Sequence, residues 1–278
     1  MRQHLLGHLL CPGRHTVSGL ITVFGGQFED WTADYSLYSK ARIDADAIFG
    51  EVRREIDKIR PRSRALCVAL DDTILRKRGK RIPGTAYRKD PLGPPFNVNL
   101  VWAQRRLQIS AAVADGEGEV RMIQVAFEDA STPRKPRKGS DEQTVESYKE
   151  QMKQRNLNTL AVEALKSLQE HRAAENEGVA PALHVVVDGS YTNKKTLRNL
   201  PLQTTLIGRV RKDAKLSAKP EEQKPNGRRK FYGEELPTPE QIRQDPDIPW
   251  VKVMARASGR DRQFEIKTLA PIRWRAAG

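Results

Sequence analysis

Cysteine is almost missing from the chain. Only Cys11 and Cys67 occur, too few for a disulfide framework or a four-thiolate zinc site, and a reducing compartment is the simplest home. Cys67 falls inside an apolar run and reads as a small core residue. No apolar run approaches the ~20 residues that a membrane-spanning helix needs. The opening MRQHLLGHLLCPG has only a short apolar stretch, broken by His8, and reads as part of a helix rather than a signal segment. Histidine is also scarce and scattered. His4 and His8 lie one helical turn apart, but no third ligand accompanies them, and His184, opening an apolar strand, reads as a satisfied core residue. Acidic residues are outnumbered: Lys+Arg 49 against Asp+Glu 35 leaves a formal +14. That balance points to a polyanionic partner, because each cation set on a phosphate releases counterions. Hydrophobic residues make up 38% of the chain, enough for a core.

Residues 1–62 read as a helical region. Phe24, Phe28, Trp31, Tyr35 and Tyr38 recur at spacings that favour packing over base stacking. Ile43, Ala47, Ile48, Val52, Ile56 and Ile59 then mark one face of a helix that Pro61 ends. Beyond it the period changes. RALCVALDDTIL reads as a buried strand, RKRGKRIPG as a turn, residues 97–114 as a second strand and 119–129 as a third, with DGEG between them as a hairpin turn. Residues 141–174 are helical, with Ser140 or Asp141 as N-cap. ALHVVVDGS reads as a fully buried fourth strand, TNKKTLRNL as a short helix and residues 203–213 as a fifth strand. Residues 214–247 read as a flexible, charged, proline-rich stretch. A hairpin follows near 250–257 and 262–268, turned by SGRD. Trp102 and Trp274 read as packing residues.

The order predicts an α/β fold with a mixed five-stranded sheet: three antiparallel strands, then two reached through helical crossovers and therefore parallel. Two strands end in carboxylates, ALDDT and VVVDGS. Side chains alternate across a strand, so only one of Asp71 and Asp72 faces the same site as Asp188. Hard oxygen ligands of this kind suit a divalent ion, and phosphoryl transfer on two ions asks for a third or fourth carboxylate.

The strand order and the motifs ALDDTILRKRGKRIPG, VVVDGSYTNKKTLRNL and TTLIGRVRKDAKL resemble the Asp-Asp-Glu transposases of bacterial insertion sequences, over about residues 15–278. The resemblance implies an RNase H-like catalytic core at 63–213 and a β-rich insertion, incomplete, at 214–278. It implies metal-dependent cleavage and transfer of DNA strands at transposon ends. Its catalytic and metal-binding acids fall on Asp72, the acid before Thr73, and on Asp188, with Mg²⁺ or Mn²⁺ as cofactor. DNA contacts are expected from Lys77, Arg78, Lys80 and Arg81, from Lys194 and Lys195, and from Arg209, Arg211 and Lys212. Double-stranded DNA is the implied partner, a homodimer on DNA the implied assembly, and the bacterial cytoplasm beside the nucleoid the implied location. The family's Glu, on a helix after the fifth strand, has no counterpart here. Glu265 has strand context, and Glu234 and Glu235 lie in a proline-rich loop. The chain is therefore expected to be inactive by itself. One alternative is a non-catalytic, basic DNA-binding remnant. A haloacid-dehalogenase-type phosphatase, suggested by VALDDTIL, stands further off, because its two acids are one residue apart and crossover helices should follow its first strand.

Overall fold

A computed structural model describes residues 2–40, 42–60, 65–79, 81–94, 96–114, 119–221, 227 and 229–277. The chain forms two compact units, Met1–Val52 and Arg53–Gly278.

The first unit is helical: α1 (Arg2–Leu10), α2 (Val17–Val23), α3 (Thr32–Ser39) and the start of α4 (Ala45–Ile59). Thr16 caps α2 by accepting from the Gly19 amide. Leu20 and Ile21 are buried. His4 is buried as well, held between Asp34 (Nε2 to Oδ1, 2.6 Å) and the Tyr38 hydroxyl (3.2 Å), so its ring is engaged in packing. The aromatic residues expected in the core are divided: Phe24 and Trp31 are half-buried, whereas Phe28, Tyr35 and Tyr38 are exposed.

The second unit is built on a six-stranded mixed sheet. Its strands are β1 (Leu66–Arg76), β2 (Thr85–Lys89), β3 (Leu100–Ala114), β4 (Val120–Asp129), β5 (Leu183–Val187) and β6 (Thr204–Gly208). They run β2-β3-β1-β5-β6, with β4 also paired to β3. β1 is antiparallel to β3 and parallel to β5, and β5 is parallel to β6. Strand β2 is an addition to the expected five. TAYRK is short and follows a turn-rich segment, and it pairs with the first residues of β3. The turn expected at DGEG lies outside the described residues, as does Pro61.

The expected single helix at 141–174 is two, α5 (Glu142–Gln154) and α6 (Leu157–Ala174). Asp141 caps the first through the Thr144 amide, and Asn156 breaks the run by capping the second. Helix α6 packs on β3 and β4 with Ala161, Leu165 and Leu168 buried. Leu66, Val68 and Leu70 of β1, Leu107 and Ile109 of β3, and Leu183, Val185 and Val187 of β5 are buried.

The opposite face is more open. Strand β5 alternates buried and exposed residues instead of being buried on both sides, because no element covers its second face among the described residues. His184 therefore stands in solvent rather than in the core, Val186 and Ile207 are exposed, and Cys67 is only half-buried.

After the short helix α7 (Lys194–Arg198) and β6, the chain does not unravel as expected. Strands β7 (Leu216–Ala218) and β8 (Glu235–Leu236) and helix α8 (Pro239–Gln244) bury Ala214, Leu216 and Ile242 together with Trp274. Thr238 and Gln241 form a reciprocal cap at the start of α8. The hairpin β9 (Val251–Ala257) and β10 (Arg260–Ile266) forms where expected. Ser258 and Gly259, both at positive φ, make its tight turn. Strand β11 (Ile272–Trp274) returns to pair with β7.

Candidate active site

The register of β1 against β5 decides which acid meets which. Leu66, Val68 and Leu70 lie opposite Leu183, Val185 and Val187 on the buried face. Continuing the alternation, Asp71 falls on the face of Asp188 and Asp72 on the other. The acid facing Asp188 is thus Asp71, whereas the motif before Thr73 selects Asp72. Asp72 is turned inward and is satisfied there.

Asp72 is a well-partnered carboxylate. Its Oδ2 lies 2.7 Å from Arg105 Nε, and its Oδ1 accepts from the Tyr191 hydroxyl at 2.8 Å. Leu107 is paired with Asp72 across β1 and β3, which puts Arg105, two residues away, diagonally beside it on the same face. Tyr191 is wholly buried. Burial, then the hydrogen bond to Asp72 and the charges of Asp72 and Asp71, push its phenol far above the usual tyrosine range. Arg88 on β2 adds a second guanidinium. Burial, and then Arg105, lower its proton affinity, against the pull of Asp72 and Asp129.

Asp71 sits in the opposite situation. Its carboxyl is pushed above the usual range by burial and by the nearby charges of Asp72 and Asp188, opposed only by the Asp72 amide, which donates to Oδ1 at 2.8 Å. Asp188 spends Oδ1 on the Ser190 amide (2.9 Å) and hydroxyl (2.6 Å), which fixes the turn after β5. The second oxygen of each carboxylate has no hydrogen-bond partner among the described residues. Both residues line an open cleft of about 830 Å³, whose lining also includes Asp72 itself, Arg76, Lys89, Asp90, Arg105 and Ser190. Two hard oxygens in a place where carboxylates repel one another are a donor set that fits a divalent cation. Among the described residues no third His, Cys, Asp or Glu joins them as a ligand group. Glu234, Glu235 and Glu265 lie on or beside β8 and β10, outside the cleft lining. Asp90 lines the cleft but is buried and paired with Arg76 at 2.5 Å.

The expected DNA-contacting residues separate into groups. Arg209 follows β6, and its carbonyl lies beside Gly189, next to Asp188. Lys194 and Lys195 open α7, capped by Asn193; Lys194 is exposed, and the Lys195 ammonium is hydrogen-bonded to Thr159. Arg211 forms a two-pronged pair with Asp213 (2.9 Å on each arm), and Lys212 is exposed. Lys77, Arg78 and Arg81 follow β1 and are not among the residues that line the cleft. Lys77 is five residues along from Asp72, roughly 16 Å on an extended strand, and Lys80 is outside the described residues. Sequence reasoning does not single out Arg105, Arg88 or Tyr191. Tyr191 lies within the second motif, and following the alternation of β3 inward leads to Arg105.

No curated protein matches this chain, and no solved structure does. A family model described as DDE superfamily endonuclease matches residues 1–276. Strand β1 runs on to Arg76, so its two acids lie within the strand, just past its pairing with β5, rather than at its end as expected; the mixed sheet in RNase H-like order, with these acids beside Asp188, agrees with that match. The chain belongs to the DDE superfamily endonucleases, a transposase family.

Proposed function

We propose that residues 63–213 form a metal-dependent core for DNA strand cleavage and transfer at insertion-sequence ends, with residues 214–278 as an inserted β-rich part. Asp71 and Asp188 are the metal-holding pair. The observation that carries this reading is their shared face on adjacent parallel strands, together with the raised proton affinity of Asp71. When bound there, Mg²⁺ or Mn²⁺ would supply positive charge to the oxygens of the phosphoryl group being transferred. The protein's own groups hold the frame. Asp72 fixes Arg105 and Tyr191 beneath the pair, Ser190 fixes Asp188, and Arg209 and Lys194 supply cations for the phosphate backbone. Double-stranded DNA is the substrate, a homodimer on DNA the working assembly and the cytoplasm its place.

Two carboxylates balance the charge of one divalent ion, so this chain by itself is proposed to cut weakly. A second reading, a DNA-binding remnant without catalysis, is favoured by the missing third ligand among the described residues. One experiment separates the two: Mn²⁺-dependent nicking of labelled duplex DNA by wild type, Asp71→Asn, Asp72→Asn and Asp188→Asn. Nicking lost in Asp71→Asn and Asp188→Asn supports the enzyme. DNA binding with no nicking and no metal uptake supports the remnant. Nicking that survives Asp71→Asn would overturn the assignment of the pair.

A further inference from the structure

From Pro91 to Leu100, the first residue of β3, the sequence is PLGPPFNVNL. It holds no charged side chain, in a chain of which 30% is charged. Its apolar members stand in solvent: Leu92 is 89%, Phe96 95% and Val98 79% exposed. Single apolar residues on a surface are ordinary, but three in one connection form a patch that calls for a partner. The connection is held in shape from its root. Asp90 is buried; its Oδ1 accepts from the Leu92 amide (3.1 Å) and its carbonyl from the Gly93 amide (3.2 Å). Its own amide donates to the Asn99 carbonyl at 2.8 Å, which ties the two ends together, and the Arg76 guanidinium donates to its Oδ2 at 2.5 Å. Pro91 and Pro94 have fixed φ, and the Asn97 amide donates to the Pro94 carbonyl (3.2 Å). Leu92 and Phe96 are thus presented to water from a pinned frame, a cost that burial against a partner removes.

The place of the connection says what that partner is. Pro91 and Leu92 line the same cleft as Asp71 and Asp188, together with Lys89. Lys89 is exposed at the end of β2, immediately before the connection. A strand whose phosphate reaches the two carboxylates therefore meets an apolar edge beside a cation. The apolar part of DNA is its stacked bases. Proteins reach them by pushing leucine, phenylalanine or proline side chains between base steps, which unstacks the step and kinks the duplex.

We propose that Leu92 and Phe96 form an apolar wedge that enters the base stack of DNA lying in the cleft, so that one base leaves the stack and packs on Phe96. This rests on the reading of the cleft as a site for DNA strand cleavage. Both are positioning residues: they touch bases and leave the reacting phosphate to the cleft. A phenyl face accepts any base, so the wedge carries little base readout of its own. What it selects is deformability. Pyrimidine–purine steps such as TA and CA unstack easily and A-tracts do not, so flexible steps are favoured at the cleft.

The test uses the full chain, without divalent metal so that no DNA is cut, and duplexes carrying 2-aminopurine in a TA step or in an A-tract. The fluorescence of that base rises when it unstacks, and anisotropy follows binding separately. Wild type should give a several-fold rise in the TA duplex and a smaller one in the A-tract. Phe96→Ala and Leu92→Ala should each lose most of the rise, and Phe96→Ala should weaken binding by roughly fivefold or more. Phe96→Trp should keep both. Because the two side chains are exposed, Tm should stay at the wild-type value, and the salt dependence of binding should not change, since no phosphate contact is removed. Binding with no rise, or a rise that survives both alanine variants, overturns the wedge and leaves the DNA reading standing. No binding to either duplex removes that reading and the wedge with it. Self-association in sedimentation that both alanine variants abolish, with no rise on DNA, gives the loop to a second copy of the chain and likewise overturns the wedge.

Discussion

The Tyr191 hydroxyl donates to Asp72 Oδ1 at 2.8 Å, from a side chain with no solvent exposure. This bond ties the loop after β5 to the middle of β1, the two segments that carry Asp188 and Asp71. Tyr191→Phe should cost about 1.5–3 kcal/mol, the range for a hydrogen bond to a charged group, and toward its lower end because Arg105 stays on Asp72. Urea denaturation measures it. Of the six tyrosines in the chain, this one should stay un-ionised in an alkaline absorbance titration until the protein unfolds, since burial and Asp72 both oppose its phenolate.

Asp72→Asn should destabilise more than Tyr191→Phe. It removes the carboxylate partner from Arg105 and leaves Arg88 with less opposing charge. Breaking a buried pair costs about 3–5 kcal/mol; with Arg105 35% exposed at its side chain, the loss should lie at or below the lower end. An Asp72→Asn protein as stable as wild type would show that Asp72 does not anchor the site.

Asp71→Asn should do the opposite. The folded-state pKa of Asp71 is raised, so the folded protein holds this proton more tightly than the unfolded chain does. Above the raised pKa the ionised group therefore costs stability. The cost fades as pH falls through the carboxylate range and vanishes below the unfolded value. Without metal, Asp71→Asn should raise Tm near neutral pH, with the gain disappearing in acid. Mg²⁺ or Mn²⁺ should raise the Tm of wild type but leave Asp71→Asn and Asp188→Asn unmoved. A Tm that responds to metal equally in all three would place the ion elsewhere.

The pairing of β1 with β5, and with it the meeting of their acids, is legible in ALDDT and VVVDGS, although β1 does not end at its acids but runs on to Arg76. The choice between Asp71 and Asp72 is not. Alternation says that one of them faces Asp188, but only the register, with Leu70 opposite Val187, says which. The motif match to the acid before Thr73 points to the other side. Strand β2 is hidden because five residues after a turn carry no periodicity. The fold of residues 214–247 is hidden because its small core of Ala214, Leu216 and Ile242 is assembled from distant positions amid charged sequence. His184 misleads for a plain reason: an apolar run looks the same whether one face of a strand is covered or both are.

DNA binding should depend on Arg209 and Lys194 more than on Arg211. Arg211 is held by Asp213, whose carboxyl is kept below the usual range by the hydrogen bond from that guanidinium. Fluorescence anisotropy across a salt series should show the slope of log affinity against log salt becoming shallower by roughly 0.9 for each phosphate that is no longer neutralised. Arg209→Gln and Lys194→Gln should each show that change, and Arg211→Gln a smaller one. Asp213→Asn, which frees Arg211, should strengthen binding. An affinity insensitive to salt would remove the phosphate backbone as the partner.

The loop that carries Asp188 depends on a close approach with room for hydrogen and nothing larger. Gly208, the last residue of β6, lies beneath Thr192. A methyl carbon placed there would fall inside van der Waals contact with Thr192 Oγ1 and only 3.1 Å from its Cβ and Cγ2. All three heavy atoms of that side chain crowd the same point, so rotating it brings no relief. Thr192 is also 8% exposed and donates to the Asp188 carbonyl at 2.9 Å, which closes the turn after β5. Gly208→Ala must therefore move the turn, at about 1–3 kcal/mol for an overpacked core position. The displaced Asp188 should lose metal-dependent stabilisation together with that stability. Thr192→Ala clears Oγ1 and Cγ2, so Gly208→Ala/Thr192→Ala should regain part of the fold stability. It should not regain full metal response, because the bond to the Asp188 carbonyl is gone. Thermal melts with and without Mn²⁺ on the four proteins test this directly. If Gly208→Ala alone melts and responds to metal as wild type does, the Thr192 turn does not set the position of Asp188.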